Sequence, residues 1–516
     1  MAKGPKRSRR SEPVSRESAP PTTEPVMLHV DAPTFGPAGV ARRADGKVVL
    51  VHGAYPGDIV AAAITREHTG YAEAVIESIE TPSVDRVQPP CSRHPLCGGC
   101  AWMGLSREAQ SRHKRALVER TLRNLTGAPQ LLADMAGTGP ELGYRQRCRL
   151  ALEAAPEAKP LLNILAPPST RPLAGSGYTA AGGIEISERP CTLPGRRGSR
   201  AMGSLRMGFF RHGTHEIVPL DSCPVCMPEL NEALGRLNGW PMDAGMEGSV
   251  ELTRDSSGAV FGVFYLGKPC GDTQGLAKGL VESGVLAGCV VKAPKSPAAK
   301  AGRMEGHHLV LGLHTIPVTC ESFSQANPWV NDLLVGHVVG LVSSISKAAV
   351  MPTGGLLAGT DAGSGPKTGS DKEFAVAAPL HIVELYAGHG NFTRPLLHLG
   401  HKVTAVELGV DLSLIEAHAN LWFLRSDAAQ AMKRLLKKGH RADLVMLDPP
   451  RSGAKEVMLL ISAMGPKAVL YVSCDPNTFA RDAALLQADG YRLASLRAFD
   501  MMPHTWHAEL VALMTR

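Results

Sequence analysis

Three residue groups toward the carboxyl end of the chain are of types that do chemistry. Cys474 stands in Ser473-Cys474-Asp475-Pro476-Asn477-Thr478, directly after the apolar run Val469-Leu470-Tyr471-Val472. A lone cysteine at a strand end is commonly a small buried hydrophobe. As a thiolate it is also an intrinsically strong nucleophile. Asp448-Pro449-Pro450-Arg451-Ser452-Gly453 follows the preceding apolar run, Leu444-Val445-Met446-Leu447. Both groups therefore fall at the carboxyl ends of strands, the edge at which open α/β sheets bind ligands. Glu509, in Pro503-His504-Thr505-Trp506-His507-Ala508-Glu509, is a carboxylate that could remove a proton. Taken alone it would be read as a surface glutamate on a strand.

A fourth group suggests a cofactor. Glu384-Leu385-Tyr386-Ala387-Gly388-His389-Gly390-Asn391-Phe392 reads as a strand entering a Gly-x-Gly turn. Glycines there let the backbone approach a nucleoside closely. Glu407, 17 residues after Gly390, ends the next apolar run, where a carboxylate can accept both hydroxyls of a ribose. A Gly-x-Gly turn by itself is a weak signal. Asn391, Phe392 and Thr393 follow Gly390 with no third glycine, which favours S-adenosylmethionine over a pyrophosphate-bearing dinucleotide. Asp427, after one further strand, falls where such sites hold the adenine amino group.

The target atom follows from the neighbours of the donor. Enzymes that methylate exocyclic amines carry Asp/Asn-Pro-Pro followed by an aromatic residue, and here Arg451 replaces the aromatic. That departure moves the substrate toward a base carbon. C5 of uracil is a poor nucleophile. Adding a thiolate to C6 turns the ring into an enolate whose C5 can attack a methyl sulfonium, after which the C5 proton must leave. Cys474 suits the first role and Glu509 the second. An amino-group methyltransferase and a catalytically silent RNA-binding protein are the competing readings.

Cys91, Cys97 and Cys100 lie within ten residues, joined by Gly98-Gly99. Three thiolates require a fourth ligand, with Cys223 of Asp221-Ser222-Cys223-Pro224-Val225-Cys226 first and Cys226 and Cys191 as alternatives. Four cysteines can hold zinc or a [4Fe-4S] cluster. Spacing alone does not choose between them, though structural zinc more often shows paired Cys-x2-Cys elements, which leans toward iron–sulfur.

The elements that must position these residues read in three blocks. Residues 27–85 alternate short apolar runs with turns such as Tyr55-Pro56-Gly57-Asp58, which predicts a small β-barrel. Residues 86–320 are mixed, with an insertion near 152–206. Residues 321–516, with a linker insertion over 351–379, contain the runs HIVEL, KVTAVEL, DLVMLD and AVLYVS separated by segments that can be helical, the pattern of a doubly wound parallel sheet. The last two runs, YRLASLRAFD and HAELVALMT, are placed to pair antiparallel at its edge. Residues 1–26 form a polar arm with Lys3, Lys6, Arg7, Arg9 and Arg10, read as disordered and able to touch phosphates. The 516 residues are 44% hydrophobic and 20% charged with a net charge of +7, which is globular, leaning toward polyanionic partners. No secretory signal and no uninterrupted apolar span is read, and the scattered cysteines suit a reducing compartment, the cytoplasm.

Together these residues resemble the RNA uracil-C5 methyltransferase family, the bacterial 23S rRNA enzymes and their tRNA relatives, over nearly the whole chain. The resemblance implies an α/β architecture: a C-terminal class I (Rossmann-like) methyltransferase domain, an N-terminal OB-like TRAM barrel that binds RNA, and a central α+β iron–sulfur domain. It implies S-adenosyl-L-methionine as donor and a [4Fe-4S] cluster on Cys91, Cys97, Cys100 and Cys223. Phe323-Ser324-Gln325-Ala326-Asn327 resembles the family's Phe-x-Gln-x-Asn motif, whose Gln contacts the donor. Tyr386, Asn391, Glu407, Asp427 and Asp448 match its other donor positions, Cys474 its nucleophile and Glu509 its proton-abstracting glutamate. Tyr144-Arg145 and Met207-Gly208-Phe209 fall where the central domain is expected to touch RNA. The implied partner is RNA, 23S rRNA ahead of tRNA, through a base flipped into the pocket. No membrane and no obligate protein partner is expected.

Overall fold

A computed structural model describes residues 24–156, 202–348 and 378–516. The basic residues of the N-terminal arm, Cys191 and most of the two inserted stretches near 152–206 and 351–379 lie outside the described residues.

The strands Val26–Pro33, Ala38–Arg42, Val48–His52, Ile59–Glu67 and Tyr71–Thr81 close into a barrel. Period-two alternation sends Leu28, Val30, Val49, Val51, Val60, Ala62 and Ile64 into its core. Asp58 is fully buried in the turn that follows Tyr55-Pro56-Gly57. It accepts from the backbone of Tyr55 (2.6 Å) and Ser83 (2.9 Å) and is paired with Arg86 (2.6 Å), so its charge is satisfied on every side.

An eight-stranded sheet occupies the middle of the chain. At its centre Arg147–Pro156 lies between Met202–Phe210 and Glu247–Arg254, antiparallel to both. Leu150, Leu152, Val250, Leu252 and Phe264 fill one side with the helices Pro228–Leu237 and Thr273–Glu282. A separate hairpin, Glu305–Val310 with His314–Thr319, leads toward the long helix Pro328–Ala348.

The last region is a seven-stranded sheet. Its spatial order is Leu421–Arg425, Lys402–Glu407, His381–Leu385, Leu444–Leu447, Ala468–Ser473, Glu509–Thr515, Arg492–Phe499. The first five strands are parallel and the last two antiparallel, as the apolar runs predict. One crossover departs from expectation. Between Glu407 and Leu421 there is only a single 3-10 turn, Leu412–Leu414, and no α-helix.

Two packing features go beyond the sequence reading. The helix Arg107–Leu122, capped by Ser106 (3.2 Å to the Ala109 amide), buries Val118 and Leu122 in the core of the C-terminal sheet. The segment after it bonds to the outermost strand, with Ala136 N–H donating to Ala498 O at 2.8 Å, and so covers that edge. The stretch Pro328–Lys347 is long and apolar enough to cross a membrane, which the sequence reading did not expect. Asn331, Asp332 and His337 interrupt its apolar run, and Val330, Leu334, Val335, Val338 and Val342 pack against Ile382, Leu396 and Val511 of the C-terminal core.

Candidate active site

The antiparallel register of Ala468–Ser473 with Glu509–Thr515 pairs Ser473 with Leu510. Cys474 and Glu509 each adjoin that last pair, and they are close enough to interact electrostatically, so two residues 35 positions apart in sequence become neighbours at the sheet's edge. Leu447 pairs with Tyr471 on the other flank, which brings Asp448 and Arg451 to the same edge. Asp475 holds the turn after Cys474: its carboxylate accepts from the amides of Asn477 (2.8 Å) and Thr478 (3.2 Å) and caps the helix Pro476–Ala488.

These groups shape one another's ionisation. Burial pushes the Cys474 thiol up to about 12, the charges of Glu509 and Asp448 add to this, and Arg451 opposes it. Glu509 is buried and held well above the usual carboxylate range by that burial and by Asp448, again against Arg451. Burial raises Asp448 to about 7. Glu384, beneath them, is raised by burial to about 8, with the Thr393 hydroxyl (2.6 Å) working against the shift. Three carboxyl groups and a thiol thus share a region with too little positive charge. Such a site favours a cation, and a sulfonium is one.

The other predicted donor residues surround the Gly-x-Gly turn. Tyr386 and both glycines have positive φ (62°, 55° for Gly388 and 98° for Gly390), which folds the chain sharply back at the strand's end. Glu407 accepts from Gly388 N (3.1 Å) with one oxygen and from the Leu408 and Gly409 amides (both 2.8 Å) with the other. Asp427 caps the helix Ala428–Lys437 through the Gln430 amide (3.1 Å). Asn391 exchanges two 3.0 Å hydrogen bonds with Asn331, joining the turn to the helix that follows Phe323-Ser324-Gln325-Ala326-Asn327. Gln325 is partly buried, and its carbonyl accepts from Gln146 at 2.9 Å.

Cys91, Cys97, Cys100 and Cys223 line one pocket with Arg145, Phe209 and Leu220. Cys226 is not in that lining and is buried behind it. Burial raises the Cys100 thiol to about 12 and also lifts Cys97, which favours the neutral form of these two until a cation arrives. Arg145 Nε is buried with no hydrogen-bond partner among the described residues. No grouping of three or more His, Cys, Asp or Glu able to hold a single metal ion occurs among the described residues. The donor set and the spare guanidinium proton fit a larger, negatively charged thiolate-held group.

Comparison with known proteins is consistent with this geometry. A family model described as tRNA (Uracil-5-)-methyltransferase matches residues 375–516. A protein of Marinomonas sp. (strain MWYL1), named 23S rRNA (uracil(1939)-C(5))-methyltransferase RlmD, is 30% identical over 99% of this chain and 99% of its own. The chain belongs to the RNA uracil-C5 methyltransferase family. The Halomonas elongata protein of the same name is 29% identical over 92% of this chain and 86% of its own. A solved structure of the Pyrococcus abyssi tRNA (uracil-54, C5)-methyltransferase with S-adenosyl-L-homocysteine covers 95% of this chain and 99% of its own, at 19% identity and a TM-score of 0.56. It shares the fold. Membership makes this chain an S-adenosylmethionine-dependent RNA methyltransferase.

Two charged residues at the uracil-C5 site were given no role from the sequence. Arg451 had been read only as an absent aromatic, whereas its charge opposes both Asp448 and Glu509 in setting the thiol, and its Nη2 lies 3.4 Å from His507 Nε2. Lys114 is completely buried, paired with Asp500 and donating to Met502 O (2.9 Å) in the loop before Glu509. A lysine on a helix some 390 residues earlier carries no local signal of that partnership.

Proposed function

We propose that the chain methylates C5 of a uridine in 23S rRNA through a covalent bond between Cys474 and C6. The observation that carries the reading is the meeting of Cys474 with Glu509, Asp448 and Arg451 at the end of the paired strands Ala468–Ser473 and Glu509–Thr515. S-adenosylmethionine, when bound, supplies an electrophilic methyl group on a sulfonium. Glu407 and Asp427 are assigned to its ribose and adenine, and Gln325, Tyr386, Asn391 and Asp448 to the remainder. Cys474, once its proton is lost to solvent, adds to C6 as the thiolate. The C5–C6 π electrons form the new bond from C5 to the methyl carbon, and the methyl–sulfur bond breaks with its pair kept by a sulfur that leaves as the neutral thioether. Glu509 then takes the C5 proton. The electrons of that C–H bond re-form the double bond, and the C6–Sγ bond breaks to return the thiolate. Arg451 stabilises negative charge on sulfur at both ends of the cycle.

Cys91, Cys97, Cys100 and Cys223 are assigned to a [4Fe-4S] cluster, supported by their common pocket and by Arg145. When bound, the cluster supplies a compact anionic body that ties residues 91–100 to residue 223. The barrel of residues 26–81 is assigned to RNA binding as a TRAM domain, and the enzyme to the cytoplasm. Full-length likeness to proteins named for 23S rRNA supports ribosomal RNA over tRNA. The test is transfer of labelled methyl to 23S rRNA and tRNA transcripts, with 5-methyluridine read by mass spectrometry and iron and sulfide measured on the same anaerobic preparation. Product in 23S rRNA alone, with about four irons per chain, fits the proposal. Product in tRNA alone, or methylation of an amine, contradicts it.

A further inference from the structure

The loop from Asp500 to Ala508 carries no regular structure, yet it delivers Glu509 to the first position of its strand. Its backbone is held almost entirely by residues that precede it by some 360 to 400 positions. The Gln110 side chain accepts from His504 N–H at 2.7 Å and lies 3.2 Å from His504 Nδ1 with its amide nitrogen. Trp102 N–H donates to His504 O at 3.0 Å. The Tyr144 hydroxyl donates to Pro503 O at 3.1 Å, and Lys114 to Met502 O at 2.9 Å. His504 has a φ of 67°, a left-handed conformation that a non-glycine residue keeps only when its surroundings enforce it. Three consecutive residues, 502 to 504, thus have their carbonyls tied down from outside.

Two of the holders adjoin the cysteine pocket, and the other two, Gln110 and Lys114, lie on the helix Arg107–Leu122. Trp102 lies two residues after Cys100, in a turn closed by Met103 N–H to Cys100 O (3.1 Å). Tyr144 is followed by Arg145, which lines the cysteine pocket, and Tyr144 is itself completely buried. We propose that Tyr144 and Gln110 are positioning residues for Glu509, Tyr144 tying the backbone of its loop to the segment that lines the cysteine pocket and Gln110 tying it to the helix Arg107–Leu122. Their task is the last half of the reaction. Elimination requires the Glu509 carboxylate to reach the C5 proton of the Cys474 adduct, and a displacement of about 1 Å costs on the order of a hundredfold in such a step. Addition of Sγ to C6 depends on Cys474, whose turn is held by Asp475.

This inference rests on the assignment of Cys474 and Glu509, and the experiment separates the two. Tyr144→Phe removes one hydroxyl, and Gln110→Leu removes both contacts to His504. Each variant is mixed, in single turnover, with donor and ordinary uridine RNA, and the covalent protein–RNA band is followed on denaturing gels with time. The same preparations are tested for donor affinity and for trapping by 5-fluorouracil RNA, in which elimination is blocked by the C–F bond. The expected result is normal trapping, donor affinity within about twofold of wild type, and a covalent band on ordinary RNA that persists about tenfold longer. Variants that clear the band at the wild-type rate overturn the inference, as do variants that lose trapping and donor binding together, which marks general disruption. Failure of the wild type itself to trap 5-fluorouracil RNA overturns the Cys474 assignment beneath it.

Discussion

Donor affinity should rise steeply with pH, and Asp448 should be the reason. In the empty pocket burial holds its carboxyl at about 7, so at pH 6 the group is mostly protonated. A donor bearing a sulfonium and an ammonium binds the ionised form, and binding expels the proton. The fraction ionised goes from about a tenth at pH 6 to about nine tenths at pH 8, so the affinity rises about ninefold across that window. Glu384, raised to about 8, extends the slope at its upper end. The folding equilibrium carries the opposite sign. A carboxyl whose folded pKa lies above its unfolded value makes the folded state bind more protons between the two. The donor-free enzyme therefore loses stability as pH rises from about 4 toward 7, and donor restores it at the upper end. The assay is calorimetric titration with S-adenosylmethionine at pH 6, 7 and 8 in two buffers of different ionisation enthalpy, with Asp448→Asn beside the wild type. The variant should lose most of the slope and bind more weakly at pH 8, while the ligand's own ammonium titrates identically in both. A flat wild-type profile, or an Asp448→Asn slope equal to wild type, refutes the reasoning.

Two further substitutions probe charges at and behind the site. Arg451→Met should raise the Cys474 thiol further, because the guanidinium is the nearby charge that favours thiolate. Adduct formation at pH 8 should then slow about tenfold or more and recover toward higher pH, read from the pH dependence of 5-fluorouracil trapping. Lys114→Met should leave Asp500 buried with Arg107 as its remaining ionic partner and cost about 3 kcal/mol of unfolding free energy, read from denaturant titration. Adding Asp500→Asn should recover part of that loss.

Much of the architecture was legible in the sequence because it repeats simple periods. AVLYVS buries every side chain and HIVEL all but His381, so both runs are largely apolar, and they and the two runs like them are adjacent parallel strands. The barrel showed in the alternation of Ile59–Glu67 and its neighbours. Site residues were legible where they end a strand, as Asp448 and Cys474 do. What could not be read was partnership at long range. Helix Arg107–Leu122 has a weak apolar face because it buries Gln110 and Lys114 as well as Leu117 and Val118, and their partners lie in the loop before Glu509. The short turn Leu412–Leu414, in place of a crossover helix, was also not legible.

The central claim is the covalent bond from Cys474 to the base, and trapping tests it most directly. Anaerobically purified enzyme is incubated with S-adenosylmethionine and 5-fluorouracil-substituted 23S rRNA, then run on a denaturing gel beside Cys474→Ala. Fluorine at C5 cannot leave as a proton does, so the methylated adduct should accumulate as a slower band in the wild type and be absent from the variant. Equal bands in both, or no band from a wild type proven to bind donor, would contradict the account.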